Sequence, residues 1–225
     1  MRVNTRTEPL RIAVLGSGGG TNLQAILDAI DRGSLRARVV CVLADVADAF
    51  ILERARQRRI PAHFVSGAPF KNKLEGAAEA AYLTHLQAHA AEVVALAGFM
   101  RILKVRFLEA YAGRVLNIHP ALLPAFPGAQ SWEHALTYGA KVTGCTVHLV
   151  DAGTDTGPII LQRSVPILEG DTAATLHARI QEQEHIAYPD ALQLLAEGRL
   201  EIAGRRVRIR PAAYWMSSPA ERKAF

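Results

Sequence analysis

Short apolar runs recur along the chain and alternate with stretches in which apolar residues return every three or four positions. Leu10 to Leu15 is apolar apart from Arg11 and reads as a buried strand. It runs into the polar segment Gly16-Ser17-Gly18-Gly19-Gly20-Thr21-Asn22. Leu23, Ile26, Leu27 and Ile30 then repeat at helical spacing until Gly33, a stop signal. Val39 to Leu43 predicts a second strand, Phe50 to Arg59 a helix and Ala62 to Val65 a short strand. A long helix is predicted from Lys71 to His89, with Leu74, Ala77, Ala78 and Ala81 on one face. Val93 to Ala97 is another buried strand, ended by Gly98, and Arg114 to His119 is a further one.

Strands separated by helices imply right-handed crossovers and a parallel sheet. The rhythm changes after His119. Val142 to Val150 and Ile159 to Ile167 read as two strands joined by the turn-rich 151–158 segment, which predicts an antiparallel extension. Thr172 to Ala196 reads as a long helix capped by Asp171 or Thr172. Glu201-Ile202 and Val207-Arg208-Ile209 predict a small hairpin. The expected fold is α/β: an open, mostly parallel, doubly wound (Rossmann-like) sheet with an antiparallel C-terminal extension. One domain is expected over 1–225, with an ordered core at 10–210 and tails at 1–9 and 211–225. No repeat or interdomain linker is visible.

Composition changes this picture little. At 225 residues the chain can bury one substantial core. Its net charge of +5 suits anionic ligands without establishing nucleic-acid binding. The arginine runs Arg54 to Arg59 and Arg205 to Arg210 read as a solvated helix face and a basic tail. Cys41 and Cys145 lie far apart in apolar segments and read as core residues of a reducing compartment. No secretory signal and no run long enough to span a bilayer is visible, so a cytoplasmic location without membrane contact is expected.

The candidate chemistry begins at the end of the strand that closes on Asn117-Ile118-His119. Side chains alternate along a strand, so Asn117 and His119 share a face. One supplies an amide donor and the other an imidazole able to gain or lose a proton near neutrality. Open α/β sheets bind ligands beyond the carboxyl ends of their strands. The pair is thus either a site or a satisfied buried couple. Asp155, between Gly153 and Gly157, is either a turn residue or the carboxylate that orients His119 and raises its pKa. His148 reads as a support or a catalyst. The proline-dense stretch after His119 predicts a tight, cis turn at Leu123-Pro124.

The glycine loop reads as a phosphate cradle or a structural turn. Its backbone N–H groups can approach an anion at a helix N-terminus, and Thr21 or Asn22 is a suitable N-cap. Thr21 stands where the third glycine of a dinucleotide fingerprint would fall, and no Lys-Ser/Thr pair closes the loop as in a P-loop. His63, His85, His89, His134, His177 and His185 show no ligand spacing, so no metal site is expected.

Six ordered segments resemble the folate-dependent phosphoribosylglycinamide formyltransferase family: SGGGTNLQAI from Ser17, ADAFILERA from Ala47, VVALAGFMRIL from Val93, RVLNIHPALLP from Arg114, DTGPIILQ from Asp155 and QEQEHIAYP from Gln181. They spread over roughly Arg11 to Arg199. The resemblance implies 10-formyltetrahydrofolate as co-substrate, glycinamide ribonucleotide as acceptor, and no metal. Asn117, His119 and Asp155 would be catalytic. The ribose phosphate would lie on Gly20, Thr21 and Asn22, with Gln181 and Glu184 near the ribose. Folate would meet Met100, Arg101, Ile102 and Leu103, the loop from Val150 and Asp151 to Asp155, and, through its glutamate, Arg101 or Lys73. Many members carry histidine where this chain has Gln130. Small-molecule partners are implied, with no nucleic acid, and a monomer or weak homodimer. A formyltetrahydrofolate hydrolase, a tRNA formyltransferase and a nucleotide-binding dehydrogenase are the rivals. The first would not need the phosphate loop, and the second would need an RNA-binding domain beyond Arg210.

Overall fold

Alternate residues of the first strand decide how the layers assemble. In β1 (Leu10–Leu15), Ile12 and Val14 pack into one apolar cluster, while Ala13 and Leu15 pack into a second on the opposite face. All four are fully buried, as in a strand covered by helices on both sides. The computed structural model describes residues 8–211, so the tails expected at 1–9 and 211–225 fall almost wholly outside the described residues.

The chain continues through α1 (Thr21–Asp31), β2 (Ala37–Ala44), α2 (Phe50–Gln57), β3 (Ala62–Phe64), β4 (Lys73–Leu74), α3 (Ala77–Ala88), β5 (Val93–Leu96), β6 (Ile102–Leu103), α4 (Val105–Ala110), β7 (Val115–His119), α5 (Ser131–Tyr138), β8 (Val142–Leu149), β9 (Ile159–Pro166), α6 (Ala173–Ala196), β10 (Leu200–Ala203) and β11 (Arg206–Ile209). The main sheet has the order β10-β11-β9-β8-β7-β5-β1-β2-β3. Strands β3, β2, β1, β5 and β7 are parallel. The antiparallel extension is present: β8 runs against β7 and β9 against β8. The expected hairpin is β10–β11, joined to β9 through Arg206 and Ile159.

Helices α1, α2 and α6 supply the first cluster, through residues such as Leu23, Ile51 and Ile180. α3 and α4 supply the second, through Tyr82, Leu86 and Phe107. The chain thus winds both ways from β1, with β2 on one side and β5 on the other. The crevice above the carboxyl ends of β1 and β5 is the topological switch point. Tyr188 of α6, fully buried, donates to the carbonyls of Leu96 (2.9 Å) and Leu116 (3.0 Å), so it ties β5 to β7 just below that crevice.

Three readings are corrected. The helix expected from Lys71 begins only at Ala77, because Lys73-Leu74 pairs with Ile102-Leu103 as a two-stranded ribbon and Gly76 turns the chain at φ 65°. Helix α1 is capped by Gly20 in the left-handed conformation, without a side-chain cap from Thr21 or Asn22. Helices α4 and α5 were not expected: α4 has six residues, too few to show a period, and α5 is masked by the Pro and Gly punctuation before it. Thr172 does cap α6, accepting from the Thr175 amide in a reciprocal box. Both cysteines are buried and free, and burial pushes their thiols up to about 12. Among the described residues no helix is long and apolar enough to cross a membrane.

Candidate active site

Register places the polar end of β7 at the centre of the sheet. Asn117 lies opposite Leu96 of β5 on one side and His148 of β8 on the other. The loop after β8 then brings Asp155 back over the strand ends. Asp151 shapes that loop by accepting from the Gly153 amide (3.1 Å) and the Thr156 hydroxyl (2.6 Å). Asp155 Oδ1 accepts from Asn117 Nδ2 at 3.3 Å, and Oδ2 accepts from the Gly128 amide at 2.8 Å. His119 Nδ1 faces Oδ2 at 3.3 Å, and its Nε2 donates to the Phe126 carbonyl at 2.8 Å. Asp155, Phe126 and Gln130 all have φ between 52° and 56°, strained values for non-glycine residues that cluster around this site. The Leu123-Pro124 bond is cis, as expected, and Ala68-Pro69 is a second cis bond the sequence did not signal.

Partners assign the protons. The acceptor at Asp155 makes the Asn117 amide present N–H there. His148 Nε2, 3.2 Å from the same nitrogen, then accepts, while its Nδ1–H donates to the Leu149 carbonyl at 2.8 Å. His148 is almost fully buried and orients Asn117, which favours support over catalysis. Asp155 does raise the His119 pKa, as expected, but the net shift of that pKa is downward. Burial is the largest effect and lowers it, outweighing the opposing pull of Asp155 and the Phe126 carbonyl, so the imidazole lies below its ordinary value. For Asp155, burial pushes upward, but contact with His148, the field of His119 and the Gly128 N–H outweigh it and hold the carboxyl low.

The glycine loop divides into two functions. A Cβ on Gly16 would meet Ile51 at 2.6 Å and the Ala97 carbonyl at 2.8 Å. One on Gly20, whose φ is 70°, would meet Ile51 at 2.7 Å. These two glycines let the loop pack against α2. Gly18 and Gly19 face open space. The first-turn N–H groups of α1 have no intrahelical acceptor and no side-chain cap, which leaves an anion-binding end. Arg54 Nε fastens the loop by donating to the Gly19 carbonyl at 2.7 Å. Asn22 Nδ2 donates to Glu184 Oε2 at 2.9 Å, and the buried Asn22 Oδ1 has no partner. Burial raises the Glu184 carboxyl, and the Asn22 bond offsets part of this.

The Asn117–His119–Asp155 cluster, the glycine loop and the 100–103 segment line one cavity of about 600 Å³. A family model described as formyl transferase matches residues 10–192, more than half of the chain. The chain belongs to the formyl transferase family. It is similar to the phosphoribosylglycinamide formyltransferase of Escherichia coli (strain K12), with 44% identity over 193 residues that cover 86% of this chain and 90% of that one. It is similar to the solved glycinamide ribonucleotide transformylase 1 of Symbiobacterium toebii, with 50% identity and a TM-score of 0.87 over 94% of this chain and 99% of that one. A solved formyltetrahydrofolate deformylase from Pseudomonas syringae pv. tomato str. DC3000 is also similar, with 25% identity and a TM-score of 0.84, covering 91% of this chain and 67% of that one.

In this formyl transferase every site residue expected from the sequence lines the cavity except Lys73. Lys73 instead pairs with Glu75 at 2.5 Å and lies over the Phe70 ring. Arg101 lines the cavity, but its charge is committed elsewhere. Its Nε pairs with Asp45 at 2.6 Å and its Nη1 donates to the Gly67 and Phe70 carbonyls, leaving the side chain 11% exposed. Asp45 also accepts from Ser17 (2.6 Å), and Ser17 Oγ accepts from the Met100 amide (2.9 Å). Asp45 therefore fastens the glycine loop to the 100–103 segment, a role no local pattern signalled. Trp132 and His177, stacked at 3.9 Å, also line the cavity and were missed. The reading of the other histidines is corrected in one respect: ring nitrogens of His63, His85 and His89 lie within 4.8 Å of one another, away from this cavity.

Proposed function

We propose that this formyl transferase moves the formyl group of 10-formyltetrahydrofolate to the amine of glycinamide ribonucleotide in purine biosynthesis. One observation carries the proposal: the Asn117–His119–Asp155 cluster shares its cavity with a helix N-terminus that carries no side-chain cap. The phosphate binds the α1 amides beside Gly18 to Asn22, and the ribose hydroxyls meet Glu184, Asn22 Oδ1 and Gln181. Folate lies along Met100 to Leu103 and the loop from Val150 to Asp155, read by backbone groups. With Arg101 held by Asp45, the folate glutamate extends toward solvent.

The amine nitrogen bonds to the formyl carbon, and the carbonyl π pair moves onto oxygen. The formyl oxygen replaces the 3.3 Å contact between Asn117 and Asp155 and takes that N–H donor. A proton leaves the attacking amine for the space between Asp155 Oδ2 and His119 Nδ1, where two basic groups face each other at 3.3 Å. The resulting imidazolium offsets the oxyanion charge. Collapse breaks the bond to the folate nitrogen, and the same proton passes to that leaving nitrogen.

Formyl transfer from 10-formyltetrahydrofolate to glycinamide ribonucleotide, run beside a no-acceptor control, tests the proposal. The expected result is acceptor-dependent transfer with little release of free formate. Formate release at the same rate without acceptor would overturn it in favour of a hydrolase. The phosphate-binding end of the cavity, which water as acceptor would not use, favours transfer.

A further inference from the structure

Three of the histidines outside the formyl-transfer site converge at the far edge of the sheet. His63 belongs to β3, the terminal strand, and His85 and His89 lie four residues apart at the end of α3. That spacing puts both on one side of the helix. The ring of His63 packs against both, with centroids 4.5 Å from His85 and 5.3 Å from His89. His63 Nε2 lies 3.2 Å from His89 Nε2, and all three candidate ligand atoms fall within 4.8 Å of one another.

We propose that His63, His85 and His89 form a binding site for a divalent transition cation with a preference for imidazole, such as Zn²⁺. Zinc–nitrogen bonds of about 2.0–2.1 Å in a tetrahedron place ligand nitrogens roughly 3.3 Å apart. The His63–His89 separation of 3.2 Å already matches that edge, and the candidate ligand atom of His85 lies within 4.8 Å of both partners. All three residues are half-buried, which leaves the fourth position open to water. An all-imidazole set excludes Mg²⁺ and Ca²⁺, which prefer oxygen ligands. The backbone frame is rigid: β3 is paired to β2 through Leu43, and α3 is anchored by Tyr82 and Leu86 in the core. A bound cation would pin the edge strand to α3, covering an otherwise open sheet edge.

The test uses the untagged, chelator-treated full chain. Titration with Co²⁺ followed by visible absorption, and with Zn²⁺ by calorimetry, should show a single equivalent with the intense d–d bands of four-coordinate cobalt. Zinc should raise Tm by about 2–4 °C, whereas Mg²⁺ should not. His63→Gln and His89→Gln should each abolish the bands and the Tm shift while keeping wild-type formyl transfer. Tm in chelator shows whether each variant folds, and His85→Gln serves if one does not. Absence of stoichiometric cobalt binding by the wild-type chain would overturn the proposal. So would binding that survives all three substitutions, since the cation would then sit elsewhere, for instance at His119, His148 and Asp155.

Discussion

Asp155 holds a left-handed backbone conformation at φ 54°, a region that asparagine and aspartate tolerate better than other non-glycine residues. Asp155→Asn therefore keeps the loop and removes only the charge. The chain should still bind both substrates by calorimetry, while single-turnover transfer falls by at least about 10²-fold, the lower end for a lost acid–base group. Transfer near the wild-type rate would reduce Asp155 to a loop residue. Asn117→Ala deletes the proposed oxyanion donor and should cost about 2.7–4 kcal/mol, read as a fall in kcat with KM nearly unchanged. If His119 acts as the neutral base proposed above, kcat/KM should rise with pH along an acid limb whose midpoint lies below 6.5, the ordinary histidine value. A limb centred above 6.5 would contradict the dominance of burial over the Asp155 charge.

At the scale of elements, the β1–α1 loop separates packing from binding within five residues. Gly20→Val forces a branched side chain onto φ 70° and against Ile51, so it should lower Tm, with a cost of about 1–3 kcal/mol or more. It therefore tests folding rather than phosphate contact. A Cβ added at Gly19 meets no protein atom within 4 Å, so Gly19→Val should leave Tm near wild type. By crowding the phosphate it should cost about one charge-assisted hydrogen bond, roughly 1.5–3 kcal/mol, or 10–100-fold in KM for the amine substrate, with folate KM unchanged. Equal increases in both KM values would leave the loop a structural turn. The 100–103 segment is positioned from outside: Arg101 and Asp45 are nearly buried and ion-paired, so either one alone would strand the other's charge.

For the whole molecule, burial of imidazoles sets the response to acid. His63, His119, His177 and His185 all lie below their ordinary pKa in the folded chain, each chiefly because burial disfavours the cation. Below about pH 6.5 the unfolded chain binds their protons more readily than the folded one. Their contribution to stability is complete above that pH and is lost as pH falls through the lowered folded values. Asp155 adds a second loss at lower pH, below its ordinary 3.8, and Glu184, raised by burial, works in the opposite direction. Tm should therefore fall steadily on acidification below about pH 6.5. His177→Phe, which keeps the stack on Trp132 but cannot be protonated, should shallow that fall. A Tm that is flat or rising across this range would overturn the assignment.

The sequence alone determined what depends on local period. Alternation in Arg114 to His119 put Asn117 and His119 on one face, the glycine run located a loop that lines the cavity, and strand–helix rhythm followed by two adjoining strands set a parallel sheet with an antiparallel extension. These features require only near neighbours. Family resemblance, rather than period, drew Asp155 and Glu184 into the site. Only tertiary structure decided what depends on distant segments meeting. It spent the Arg101 charge on Asp45, left Lys73 outside the cavity, and gave the capping position of α1 to Gly20. It also brought a strand histidine to two helical ones across a gap of more than twenty residues. The His119 pKa belongs to the same class: a nearby carboxylate can be read from a sequence, but the loss of water around an imidazole exists only once β7, β8 and their loops have closed over it.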